Sequence, residues 1–116
     1  IESGKDLRDL FVPNFYFGCE ADDPVNALAF NTKLNPFGST LQIIYGSDIG
    51  HWDVPVMSDV LKEAYELVEH GLIDQQEFKQ FTFSNPAKVH SSLNQDFFKG
   101  TRVEADVRKL FSQRAN

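Results

Sequence analysis

Hydrophobic residues first recur at helical spacing. Leu7, Leu10 and Phe11 share one side of a segment over residues 5–11, and Pro13 closes it, because a residue before proline is driven out of the α region. The period then changes. Phe15-Tyr16-Phe17-Gly18-Cys19 is short, aromatic and continuously apolar, the profile of a strand covered on both faces, and the acids Glu20, Asp22 and Asp23 follow at once. Asp23-Pro24 predicts a helix start, with a carboxylate placed to accept from free amides and proline preset at the first helical position. Val25, Leu28, Ala29 and Thr32 form its stripe, and Asn35-Pro36-Phe37-Gly38 ends it. Leu41-Gln42-Ile43-Ile44-Tyr45 predicts a second strand that stops at Gly46-Ser47-Asp48.

The longest helix is predicted over residues 55–70, with Met57, Val60, Leu61, Ala64, Leu67 and Val68 on one face and Asp59, Lys62, Glu63, Glu66 and Glu69 opposite. Gly71 reads as its left-handed stop. Asp74 and Glu77 are spaced as a capping box for a helix that buries Phe78 and Phe81. Asn85-Pro86 opens another short helix carrying Ala87, Val89 and His90, and residues 103–111 make the last through Val107, Leu110 and Phe111. No internal repeat interrupts this order.

Two strands separated by a helix cannot form a tight hairpin, so they are expected to be parallel neighbours joined by a right-handed crossover. A two-stranded parallel sheet is marginal and lacks cover. The chain is therefore expected to be one partial α/β domain over residues 1–116. One reading makes it the end of a larger α/β barrel. The alternative is that several copies supply the absent strands.

Composition narrows the function. The chain has 116 residues, 41% of them hydrophobic, with 11 Lys and Arg against 17 Asp and Glu, a net charge of −6. A pI of about 4.9 argues against a nucleic-acid partner. No apolar run approaches a membrane span. The single cysteine, Cys19, has no partner for a disulfide and reads as a small packed hydrophobe, so a reducing, cytoplasmic setting is expected. The opening Ile1-Glu2-Ser3-Gly4 carries neither methionine nor signal-peptide character, as though cut from something longer.

The chemistry-bearing stretch is Gly46-Ser47-Asp48-Ile49-Gly50-His51-Trp52-Asp53, directly after the second strand. Carboxyl ends of strands carry the functional groups in α/β folds. Asp48 at that edge suits a metal ligand that also takes a proton, or a turn residue. His51 reads as a second ligand, a proton shuttle or a hydrogen-bonded loop histidine. Asp53 orients His51 or caps the long helix. Trp52 lines a substrate pocket or packs half-buried. Glu20, after the first strand, faces the same mouth or belongs to a solvated acidic loop with Asp22. His70 and His90 lie near helix ends and are not assigned as ligands.

These eight residues resemble the terminal-strand motif of the amidohydrolase-related, TIM-barrel metal-dependent hydrolases, a group that includes decarboxylases. The stretch 15–23 is similar to that family's seventh barrel strand, and Phe83-Ser84-Asn85-Pro86-Ala87-Lys88-Val89-His90 to its late Asn-containing helix start. The likeness runs from about residue 13 to residue 98. It implies that Asp48 binds a divalent metal, zinc above all, and serves in proton transfer, with His51 as the histidine that follows it. It also implies that residues 13–72 are the last two strand–helix units of the barrel and residues 73–116 terminal helices, and the readings of Glu20 and Trp52 from their places in the chain set them against a small-molecule substrate. The proline usual before that histidine is Gly50 here, and the family's His-x-His pair has no counterpart in the chain. A catalytic zinc needs about three protein ligands, so the metal is expected in the complete protein and the chain alone is expected to be inactive. Three alternatives accompany this expectation: a decarboxylase of the same family, a noncatalytic module that oligomerises through its unfinished sheet, and a small metal site made of Asp48, His51 and Asp53 alone.

Overall fold

The computed structural model describes residues 1–112 of the chain. Helix α1 (Gly4–Phe11) leads to strand β1 (Tyr16–Glu20), a 3-10 segment (Pro24–Phe30), a single 3-10 turn (Pro36–Gly38) and strand β2 (Gln42–Gly46). Helices α2 (Val60–Glu69), α3 (Gln75–Lys79), α4 (Asn85–Leu93) and α5 (Glu104–Ser112) follow. The fold is α/β, with two parallel strands and five α-helices. The radius of gyration, 15.6 Å, exceeds the roughly 13.4 Å typical of a globular domain of this length. Among the described residues no helix is long and apolar enough to cross a membrane.

Helix α1 starts where Ser3 and Asp6 cap each other. The Asp6 amide donates to the Ser3 hydroxyl and the Ser3 amide to the Asp6 carboxylate at 2.9 Å. The amides of Glu2 and Ser3 hold the Asp6 carboxyl below its ordinary value. Strand β1 is displaced by one residue from the expected position. Phe15 stays outside it and stacks on Phe11 at 4.6 Å, and Glu20 joins it.

The segment after β1 begins as expected, with the Val25 amide donating to the Asp23 carboxylate at 2.8 Å. It winds as a 3-10 helix, which corrects the expected stripe. Three residues per turn place Asn26 and Ala29 on one buried line, next to buried Phe30, and leave Val25 and Leu28 exposed.

The long helix also starts later than expected, at Val60, because Val54-Pro55-Val56 combines β-branched residues with a proline. Met57 is exposed, so no packing gain draws the helix back over it. Asp59, not Asp53, precedes the first turn, which removes the cap role considered for Asp53. From there the expected face is buried through Val60, Ala64 and Leu67, while Leu61 points to solvent. Gly71 ends the helix at φ +68°, and the amides of Leu72 and Ile73 both donate to the Leu67 carbonyl. The Asp74–Glu77 capping box forms with both bonds at 2.8 Å.

Helices α3 and α4 are joined without a break by a π-helical turn, Gln80–Ser84, which carries the fully buried Phe81. Phe78 is half-buried, edge-on to Tyr65 at 5.1 Å. Asn85 is buried at the start of α4, and its side-chain amide donates to the Ile43 carbonyl of β2 at 2.9 Å. That bond ties the helical layer to the middle of the sheet.

The strands pair in register from Tyr16 with Gln42 to Glu20 with Gly46. Successive side chains of a strand point to opposite faces. Phe17, Cys19, Ile43 and Tyr45 pack into the core with Ala29, Phe30, Leu67, Ile73 and Phe81. Burial pushes the Cys19 thiol above its ordinary value, and Asp23 adds to the effect, in keeping with a packed hydrophobe. The alternate set is Tyr16, Gly18, Glu20, Gln42, Ile44 and Gly46, and none of the six is buried. A side chain added at Gly18 would meet nothing within 4 Å. Among the described residues each strand pairs only with the other, so the sheet has one covered face and one open face.

Candidate functional site

The site lies at the carboxyl edge of the sheet. Gly46 ends β2 beside β1 so closely that a Cβ there would stand 3.0 Å from the Cys19 carbonyl oxygen, which gives the glycine a packing reason. After Ser47 the backbone turns at Asp48, whose φ of +54° lies in the left-handed region that aspartate tolerates better than most residues. Two short turns follow, as the His51 amide donates to the Asp48 carbonyl and the Val54 amide to the His51 carbonyl, each at 3.2 Å.

The left-handed residue aims the Asp48 carboxylate at the imidazole three residues on. Asp48 Oδ2 and His51 Nδ1 are 2.8 Å apart, with the aspartate side chain 23% exposed and the histidine 68%. A carboxylate only accepts, so the ring proton of this bond belongs to Nδ1. Asp53 brings a second carboxylate. Ligand atoms of Asp48, His51 and Asp53 all lie within 4.8 Å of one another.

Two oxygens and a nitrogen are suitable donors for a divalent ion. Side-chain rotation onto a common centre about 2.0–2.2 Å from each would complete the contacts. The exposure of His51 and Asp53 leaves room for further ligands. The group could thus hold a metal ion, and its three members are those of the small metal site that the sequence offers as an alternative.

Glu20 emerges at the same edge, since it pairs with Gly46 two residues before Asp48. Its side chain is exposed and stands outside the three-residue group. The buried Asn26 donates its side-chain amide to the Glu20 carbonyl at 2.6 Å and so fixes the end of β1. Sequence reasoning missed Asn26. The only signal for it was a polar residue on the three-residue line of Ala29. Trp52 is 94% exposed, and His70 and His90 lie outside the group. His90 instead stacks on Phe97 at 4.6 Å.

No family model, curated protein or solved structure matches the chain.

Proposed function

We propose that the chain is the carboxyl-terminal part of an amidohydrolase-like, metal-dependent hydrolase built on a TIM barrel, with its site at the mouth where β1 and β2 end. The observation that supports this most is the Asp48–His51 pair, set by a left-handed aspartate directly beyond the carboxyl end of a parallel strand. The open face and unpaired edges of the sheet fit a structure completed by further strands.

In this reading Asp48 is a metal ligand and the proton acceptor, and its backbone conformation fixes its direction. His51 holds the carboxylate in place through Nδ1 and can pass a proton on from its other nitrogen. Glu20 meets a small-molecule substrate from the neighbouring strand end. A zinc ion bound here supplies Lewis-acid polarisation and acidifies water. In the protein assembled with the strands that complete its sheet, Asp48→Ala is expected to lose both metal retention and turnover. Full activity in that variant overturns the proposal.

A further inference from the structure

The charges of the chain are unevenly divided. Residues 1–78 carry four Lys and Arg against fourteen Asp and Glu, whereas residues 79–116 carry seven against three. The net charge of −6 conceals a basic segment, and a basic segment in an acidic chain is where an anion is attracted. A cleft of about 530 Å³ between α4 and α5 gathers part of that charge and shares no residue with the Asp48 group. Lys88, Ser91 and Ser92 are spaced to share one face of α4, and Gln95 lines the cleft just beyond that helix. From α5 come Arg108, Phe111 and Val107, the one buried residue of that helix. Among the described residues, two cations and no carboxylate line the cleft.

Two polar groups of the cleft have unused hydrogen-bonding capacity. Arg108 Nη2 donates to the Glu104 carboxylate, whose other oxygen accepts from the Gly100 amide at 2.7 Å. That pairing offsets part of the arginine charge and anchors the guanidinium by one nitrogen, while its Nε and Nη1 hydrogens have no partner among the described residues. The hydroxyl oxygen of Ser91 is buried and also has no hydrogen-bond partner among the described residues, an uncommon state for a buried polar atom. Ser92 differs, because it donates to the Val89 carbonyl at 2.7 Å and has no proton to offer.

We propose that this cleft binds a small phosphomonoester, with its phosphate between Lys88 and Arg108 and its apolar group on Val107 and Phe111. The donor set selects the phosphate. An ammonium, a guanidinium, the Ser91 hydroxyl and the Gln95 amide match three terminal oxygens and a charge of about −1.5 to −2 better than they match a carboxylate. The apolar wall selects a carbon group on the phosphate, and the volume falls in the range of small-molecule sites.

Phenyl phosphate is the probe, added at fixed ionic strength to the 116-residue chain and followed by amide NMR. The amides of Ser91, Gln95 and Arg108 are expected to shift together to saturation while those of Asp48 and His51 stay fixed. Inorganic phosphate, which lacks the apolar group, and benzoate, which lacks the phosphate, are each expected to bind at least about tenfold more weakly. Lys88→Gln and Arg108→Gln are each expected to weaken phenyl phosphate at least about tenfold, with resonances outside α4 and α5 unmoved as the check on folding. Glu104→Gln removes the neighbouring negative charge and is expected to tighten binding. Shifts that never saturate, binding unchanged in Lys88→Gln and Arg108→Gln, or weaker binding in Glu104→Gln overturns the proposal. So does inorganic phosphate or benzoate that binds as tightly as phenyl phosphate, because the apolar wall or the phosphate would then play no part.

Discussion

The two faces of the sheet share ten residues of backbone and have opposite fates. Ile43 is buried, and Phe17, Cys19 and Tyr45 are half-buried against the core built by the 3-10 segment, α2 and the π-helical turn, while none of Tyr16, Gly18, Glu20, Gln42, Ile44 and Gly46 is buried or packs against that core. Stability is therefore concentrated on the helical side, and the carboxyl edge of the open side carries Glu20 and the loop to Asp48. A parallel strand is normally apolar on both faces because both are covered. Here Gly18 and Glu20 thin the open face, which leaves a gap and a charge on it.

Substitutions can break this contrast. Phe81→Ala removes the fully buried ring against which Tyr45 sits edge-on at 5.8 Å, and is expected to cost about 3–5 kcal/mol in urea unfolding. Asn85→Ala leaves the Ile43 carbonyl without its donor inside the core, a loss of about 1–3 kcal/mol by the same measurement. On the open face, Gly18→Ala is expected to be neutral or stabilising by up to about 0.5–1 kcal/mol, since the methyl meets nothing and the chain loses disorder in the unfolded state. A large destabilisation at Gly18 would show that this face is closed.

The covered face also sets a pH dependence. Burial raises the Cys19 thiol, with Asp23 adding, and burial raises the Tyr45 hydroxyl, with Glu63 adding. Both groups hold their protons more tightly folded than unfolded. Their contribution is full below the ordinary values of 9.0 and 10.0 and is lost as pH rises past them. Urea midpoints are expected to be flat from neutrality to about pH 8.5 and to fall above pH 9. Cys19→Ala should remove the earlier part of that fall.

Much of this fold is legible in the sequence where a residue type has one local meaning. Asp74 and Glu77 cap a helix, Gly71 stops one, and Leu41 to Tyr45 read as a strand within one residue of β2. The parallel pairing follows from the intervening helical segment. What fails is what depends on tertiary packing. Val25 and Leu28 look like a core stripe only at 3.6 residues per turn, and Met57 lengthens the long helix only if something covers it. At the site, the Asp48–His51 spacing is visible in the chain, but the left-handed turn that aims one at the other is not, since most aspartates in turns do not adopt it. The approach of Asp53 depends on the same turns and on a helix that starts six residues later than Asp53 as a cap would require.

Every role proposed for the loop after β2 depends on Asp48 leading a divalent-metal site. Zinc titration of the 116-residue chain, followed by NMR of its three histidine rings, tests it most directly. The His51 resonances are expected to move with saturation at one ion per chain while those of His70 and His90 stay fixed, and Asp48→Asn is expected to abolish the shift. Equal movement of all three rings, no movement of His51, or an undiminished response in Asp48→Asn would contradict it.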